Sequence, residues 1–170
     1  MLALMRWLLL LALVISGLPA DAERTSPDGS APLLTVIGVD GTERNITKEE
    51  WASLPRASAK TRDHGGTELA FEGVPAREVL KLAGAPLGWE MRGPRLSFYV
   101  VAEASDGYKV VYAVPEFDGY FTDGLILIAD RKDGQTLSPN EGPLRIVVPW
   151  EKHQARWIRQ LMVLRIRQAP

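Results

Sequence analysis

The most informative stretch of the sequence reads Glu-Gly-Pro-Leu-Arg-Ile-Val-Val-Pro at residues 141–149 and Ala-Arg-Trp-Ile at residues 155–158. The apolar run that ends at Pro149 is typical of a buried strand. A charged Arg145 inside such a strand costs free energy unless an anion or several acceptors meet it. The glycine and proline before the run predict a turn whose backbone can approach a ligand closely. We therefore predict an anion site at Arg145.

The chain is predicted to return after Pro149, so that Arg156 shares the site with Arg145. A guanidinium group suits phosphate or carboxylate because it donates two parallel hydrogen bonds. Two structural alternatives stay open. Arg145 can be satisfied by carbonyls and one carboxylate, and any of the arginines can pair with the acidic part of the fold.

Basic residues are concentrated at the C-terminal end of the chain. Residues 145–170 contain six basic residues and one acidic residue, whereas residues 23–144 contain 13 basic and 19 acidic residues. The formal net charge of -1 therefore hides a basic C-terminal quarter. A near-neutral total gives no reason to expect nucleic acid as a partner, and the basic quarter favours a small anionic ligand or cofactor.

Strands and short helices alternate irregularly along the rest of the chain. A Thr-x-x-Glu capping box predicts a helix at residues 48–54. Pro75 at a first helical position predicts a second helix that ends before Gly84. Apolar runs predict strands at residues 33–39, 67–72, 96–104, 108–115, 125–130, 144–148 and 161–167. This pattern predicts an α+β fold with mixed β-sheets and a few short helices.

A polar turn at residues 105–107, Ser-Asp-Gly, separates two of these strands and predicts a hairpin. The turn carries Asp106 and is followed directly by Tyr108, so a carboxylate and a phenol lie at one end of the hairpin. These two residues are further candidates for the site.

The N-terminus has the pattern of a secretory signal peptide. Arg6 precedes an apolar run at residues 7–15, and the small-x-small sequence Ala-Asp-Ala ends at Ala22. We predict a signal peptide at residues 1–22, a flexible leader at 23–32 and a single domain at 33–168. A retained anchor is the alternative, but a spanning helix needs about 20 apolar residues. The mature chain is thus predicted to be periplasmic or secreted, without a membrane span.

Several chemistries are excluded by composition. The sequence contains no cysteine, which excludes disulfides, thiolate metal sites and a cysteine nucleophile. It also lacks a Gly-x-Ser-x-Gly elbow, a P-loop, a dinucleotide fingerprint and a His-Glu-x-x-His motif. Asp63 and His64 could contribute to a metal site, but a solvated loop histidine explains them as well.

In order and spacing, these motifs resemble the molybdopterin-binding domain of the sulfite oxidase family over residues 33–166. The likeness rests on the segment at 71–84, the Asp-Gly-Tyr hairpin, and the Gly-Pro-Leu-Arg and Arg-Trp-Ile motifs. It implies an α+β fold of mixed sheets that holds a pterin dithiolene cofactor with a terminal phosphate. By resemblance, Arg145 matches an arginine that contacts the cofactor and Arg156 matches a lysine. Asp106 and Tyr108 line the matching hairpin.

The sequence departs from that family at two places. The family binds molybdenum through a cysteine, and the corresponding residues 55–66 contain none. Ser58 or Asp63 could supply an oxygen ligand instead. The resemblance thus implies a pterin cofactor, and the missing cysteine counts against molybdenum. Where the family has a histidine before its Gly-x-Pro motif, this chain has Asn140 and Glu141.

Three functions follow from these observations. The first is an exported module that binds an anionic ligand or a pterin cofactor without redox catalysis. The second is a molybdopterin-dependent oxidoreductase that acts on a small oxo compound through a non-cysteine metal ligand. The third is a cofactor-free interaction partner of a membrane sensor or enzyme.

Overall fold

The computed structural model describes residues 31–63 and 65–170. The predicted signal peptide, most of the predicted leader and His64 lie outside the described residues. Within the described part, no helix is long and apolar enough to cross a membrane.

Short strands make up most of the secondary structure. The strands are β1 (Leu34–Ile37), β2 (Glu43–Ile46), β3 (Ala57–Arg62), β4 (Glu68–Pro75), β5 (Phe98–Ala104), β6 (Lys109–Ala113), β7 (Leu127–Lys132), β8 (Gln135–Thr136), β9 (Arg145–Val147) and β10 (Leu161–Gln168). The helices are α1 (Lys48–Ser53) and α2 (Ala76–Leu82). Single turns of 3₁₀-helix occur at Gly88–Glu90, Gly93–Ser97, Val114–Phe117 and Gln154–Arg156.

The strands form two sheets. The first has the order β2-β1-β10-β5-β6, in which β1 runs parallel to β10 and the other neighbours are antiparallel. The second has the order β3-β4-β7-β8, and β9 pairs with β7. A mixed sheet with a few short helices confirms the predicted α+β class.

Side-chain alternation places the core. In β6, Val110 and Tyr112 are buried while Lys109, Val111 and Ala113 are exposed, as expected for a strand with one buried face. All three residues of β9 are buried, which confirms the buried strand predicted from its apolar run. Buried residues of both sheets belong to one apolar cluster, which includes Leu34, Val36, Phe71, Ile128, Ile146 and Leu164.

The predicted helix starts were right at α1 and off by one residue at α2. Thr47 caps α1 by accepting a hydrogen bond from Glu50 N at 3.2 Å. Pro75 was predicted to open the second helix, but it is the last residue of β4 and pairs with Leu127.

The strand predicted at residues 67–72 extends to Pro75 in the structure, so Gly73 lies inside β4. The register shifts between Glu72 and Gly73, which marks a β-bulge against β7. A Cβ atom on Gly73 would lie 2.0 Å from Ile128 O, so the two backbones approach too closely for a side chain. The glycine is therefore required by close packing of the strands rather than by a turn.

Candidate functional site

A cavity of about 750 Å³ is formed by three segments of the chain. The turn between β5 and β6 supplies Asp106 and Tyr108, and β9 with the residues before it supplies Arg145 and Glu141. The other lining residues are Ala104, Asn140, His153, Gln154, Ala155, Trp157, Ile158, Arg159 and Gln160. The volume is within the usual range of small-molecule sites. Three of the four candidate site residues thus line one cavity.

Backbone hydrogen bonds bring the three segments together. Ser105 N donates to Gln160 O at 3.0 Å, and Gln160 N donates to Glu141 O at 3.0 Å. Leu161 N donates to Leu144 O at 2.9 Å, which continues the link beside β9. Because β10 pairs with β5, the hairpin turn after β5 lies beside the segment that precedes Arg145.

Arg145 lies in the cavity wall with only 7% of its side chain exposed. Its Nη1 donates a hydrogen bond to Glu141 Oε1, and its guanidinium carbon lies 5.1 Å from the centroid of the Phe71 ring. Desolvation lowers the pKa of Arg145; the Glu141 carboxylate opposes this effect and the charge of Arg159 adds to it. The surroundings thus disfavour the charged form of Arg145 unless further negative charge is supplied.

Positive charge is in excess around Glu141. Lys132 Nζ lies 3.6 Å from Glu141 Oε2 and 5.8 Å from the Phe71 centroid. Arg159 lines the same cavity and has no ion-pair partner among the described residues. Two cations therefore share the Glu141 carboxylate and a third stands nearby, an arrangement that an anionic ligand would stabilise.

Two buried donors in this wall have no partner among the described residues. Arg145 Nε and Trp157 Nε1 are inaccessible to solvent and donate no hydrogen bond. Trp157 is 3% exposed and packs edge-on against Phe71, with 6.4 Å between ring centroids. A buried donor without an acceptor costs about 1–3 kcal/mol. Orphaned donors in a cavity wall indicate a place where a ligand with acceptor atoms would be favoured.

Asp106 and Tyr108 shape the rim of the cavity. Asp106 Oδ1 accepts a hydrogen bond from Tyr108 N at 2.9 Å, which closes the turn. The hydroxyl of Tyr108 donates to Ala155 O at 2.9 Å, so it ties the hairpin to the opposite wall. Half of the Tyr108 surface remains exposed.

The structure places Arg156 outside the lining of this cavity, contrary to the prediction that it shares the site with Arg145. Its Nη2 lies 2.9 Å from Glu116 Oε2, and its Nε donates to Glu151 Oε1 at 2.7 Å. Its guanidinium carbon also lies 4.5 Å from the centroid of the Tyr112 ring. Two carboxylates and one aromatic face hold the side chain, which is the alternative that the sequence left open.

The proposed oxygen ligands for a metal also lie elsewhere. Ser58 is an exposed residue of β3 that pairs with Glu72. Asp63 Oδ1 accepts from Gly65 N at 2.9 Å and Thr67 N at 2.8 Å in the turn after β3. Neither residue lines the cavity. In the described part of the chain, no three His, Cys, Asp or Glu residues are grouped in a way that could hold a metal ion.

Sequence reasoning missed several members of the site. Arg159 belongs to the basic C-terminal quarter, but nothing in its local sequence distinguished it from the other arginines. Lys132 reaches Glu141 only because β7 is the neighbour of β9. The unpartnered indole of Trp157 has no sequence signal, since a tryptophan next to an arginine is usual in a core.

Comparison with known proteins gives a family and a fold. Residues 38–169 match the family described as the oxidoreductase molybdopterin binding domain. The fold is similar to that of the sulfane dehydrogenase SoxCD from Paracoccus pantotrophus, with a TM-score of 0.60 and 18% sequence identity. The match covers 80% of this chain but only 38% of that chain. No curated protein matches the sequence.

Proposed function

The chain belongs to the oxidoreductase molybdopterin-binding domain family, and from that premise we propose that it binds a pterin cofactor or another anionic ligand beside Arg145. The observation that carries this proposal is the pair of unpartnered buried donors, Arg145 Nε and Trp157 Nε1, in a wall with excess positive charge. An anion with several acceptor atoms would satisfy these donors and offset the cost of the buried charge.

The residues present fit the organic part of the cofactor better than its metal. A pterin dithiolene, when bound, supplies two sulfur ligands to a metal and several ring acceptors and donors to the protein. Arg145, Trp157 and Asn140 of the lining carry donors or acceptors suited to such a group. The sequence supplies no thiolate, and Ser58 and Asp63 are not in the lining. The donor set thus supports ligand binding and argues against molybdenum held through a protein side chain.

Export is part of the same proposal. It is supported by the basic residue, apolar run and small-x-small sequence at residues 1–22. Edman sequencing of the mature protein from the periplasmic fraction is expected to start at Glu23. An N-terminus at Met1 would contradict export by cleavage.

The binding proposal is tested with protein purified from its own exporting cell. Native and denaturing mass spectra give the mass of any bound ligand, acid treatment releases a pterin as a fluorescent product, and elemental analysis gives molybdenum. We expect a bound mass, carried by an anion or a pterin, without stoichiometric molybdenum. Stoichiometric molybdenum would contradict the proposal that the protein binds its ligand without molybdenum. The absence of any bound mass would contradict the binding proposal itself.

Two arginine variants make the test specific to the cavity. Arg145→Met removes the buried cation and is expected to abolish the bound mass. Arg44→Met is the matched control, because Arg44 is also paired with one glutamate, Glu50, but is exposed and does not line the cavity. Equal retention by both variants would remove Arg145 from the site.

A further inference from the structure

Glu141 lies among the cations of the cavity and is bound by two of them. Its Oε1 accepts a hydrogen bond from Arg145, and its Oε2 lies 3.6 Å from Lys132 Nζ and 3.4 Å from Ser138 Oγ. Only 17% of the side chain is exposed, so solvent screens this carboxylate weakly. The Glu141 carboxylate therefore has a strong electrostatic interaction with any charged group that enters the cavity, and it repels negative charge.

The fixed charges around the cavity leave room for one negative charge. The lining contributes the positive charges of Arg145 and Arg159 and the negative charges of Glu141 and Asp106. Lys132, which lies outside the lining and 3.6 Å from Glu141 Oε2, adds a third positive charge. A ligand with one negative charge would bring this set to neutrality. The second charge of a dianion would meet the weakly screened Glu141 carboxylate without a cation to balance it.

We propose that Glu141 limits the cavity to ligands that present a single negative charge there, such as a carboxylate, a sulfate ester or a phosphodiester. This inference rests on the proposed function, since it specifies the charge of the ligand that binds beside Arg145. Glu141 is thus a specificity-determining residue that disfavours phosphomonoester dianions.

Backbone hydrogen bonds hold this segment in addition to the contacts of the Glu141 carboxylate. Glu141 N and Gly142 N both donate to Ser138 O, at 2.9 and 2.8 Å. Gln160 N donates to Glu141 O at 3.0 Å. Because these bonds use only backbone atoms of Glu141, a substitution to glutamine should keep the fold and an acceptor for Arg145 while removing the charge.

The test compares two probes that differ mainly in charge. Phenyl sulfate carries one negative charge, and phenyl phosphate carries close to two at about pH 8, since the second pKa of a phosphomonoester is about 6. Calorimetric titration of the full mature protein is expected to show tighter binding of phenyl sulfate. Glu141→Gln is expected to raise the affinity for phenyl phosphate about tenfold and that for phenyl sulfate less.

Three further variants separate a charge effect from a structural one. Glu141→Asp keeps the charge and should keep the preference for the monoanion. Lys132→Gln removes one cation and should weaken phenyl phosphate more than phenyl sulfate, which tests the charge count without altering Glu141. Glu90→Gln breaks an exposed pair with Arg95 away from the cavity and should leave both affinities unchanged.

The outcomes distinguish this inference from the proposed function. Equal affinities of the native protein for the two probes, or an equal effect of Glu141→Gln on both, would overturn the role of Glu141 alone. Failure of the native protein and of every variant to bind either probe would overturn the anion site and this inference together. Binding that survives Arg145→Met would place the probe elsewhere and overturn both.

Discussion

Arg145 and Arg156 belong to the same basic segment of the sequence but lie in regions of opposite charge balance. Arg145 shares the Glu141 carboxylate with Lys132, whereas Arg156 alone receives the carboxylates of Glu116 and Glu151. Desolvation lowers the pKa of both arginines, but the hydrogen bonds that Arg156 donates to Glu116 and Glu151 outweigh it and raise the pKa of Arg156 above its ordinary value. Arg145 stays below its ordinary pKa.

The difference in surrounding carboxylates separates Arg145, which is free to bind a ligand, from Arg156, which stabilises the fold. Arg156 has used its donors: Nε on Glu151, Nη2 on Glu116, and Nη1 on Val111 O at 3.1 Å. Val111 lies on β6, an edge strand of the first sheet, so the arginine also covers a free carbonyl of that edge. Arg145 keeps Nε unpartnered in a cavity wall. Opposite roles therefore follow from the number of carboxylates around each guanidinium.

Replacement of Arg156 is expected to have the largest effect on stability. Arg156→Met leaves two carboxylates facing each other, one of them, Glu151, only 14% exposed. Because Arg156 itself is partly exposed, the loss in the free energy of unfolding is discounted to about 2 kcal/mol. Urea unfolding measures it, with Arg44→Met as an exposed control expected to lose less than about 1 kcal/mol. Equal losses in the two variants would remove the structural role of Arg156.

The Arg56–Asp130 pair is intermediate between the surroundings of Arg145 and Arg156, because one arginine here pairs with one carboxylate. Arg56 donates two hydrogen bonds of 2.6 Å to Asp130, and Trp51 Nε1 adds a third of 2.6 Å. Desolvation raises the pKa of Asp130, but the bonds from Arg56 and Trp51 outweigh it and leave the pKa below its ordinary value. The pair therefore stabilises the fold fully above the unfolded pKa of about 3.9, and this stabilisation is lost as the pH falls through the lower folded pKa.

Acid unfolding of Asp130→Asn tests this intermediate case. The variant lacks the titrating group, so its free energy of unfolding should fall less than that of the native protein between about pH 4 and pH 2. The expected difference is about 1 kcal/mol, because the pair is partly exposed. Parallel pH profiles for the two proteins would show that Asp130 does not titrate with the fold.

Replacement of Arg145 is expected to have the smallest effect on the stability of the ligand-free protein. Arg145→Met fills a similar volume without a buried charge, and Glu141 keeps Lys132 as its partner. The free energy of unfolding should change by less than about 1 kcal/mol, because Lys132 still compensates the charge of Glu141 and the buried charge of Arg145 is removed. A loss as large as that of Arg156→Met would show that Arg145 is structural and would erase the contrast between the two regions.

Local signals predicted most of the fold. The Ser-Asp-Gly turn gave the β5–β6 hairpin, and the capping box gave α1. Strand β3 was missed because only Ala59 of its six residues is buried and its charged residues hide the alternation. Strand β2 was missed for the same reason, since only Ile46 is buried there.

The site could be predicted from the sequence only where a charged residue interrupted an apolar segment. Arg145 stood out because a charge interrupts an apolar strand, and the structure buries it in a cavity wall. Arg156 lacks such a signal: Glu116 is remote in sequence and reaches it through the turn after β6. Lys132 and Arg159 likewise depend on tertiary pairing. The number of charged groups around an arginine depends on the folded structure, so it could not be predicted from the local sequence.

A structure of the protein purified from its own exporting cell tests the binding role of Arg145 most sharply. We expect electron density for an anionic group within hydrogen-bond distance of Arg145, in the cavity that Trp157 and Arg159 also line. Arg156 should keep only Glu116, Glu151 and Val111 O as partners. Density for water alone beside Arg145, or an anion bound at Arg156 instead, would contradict the division between a binding arginine and a structural one.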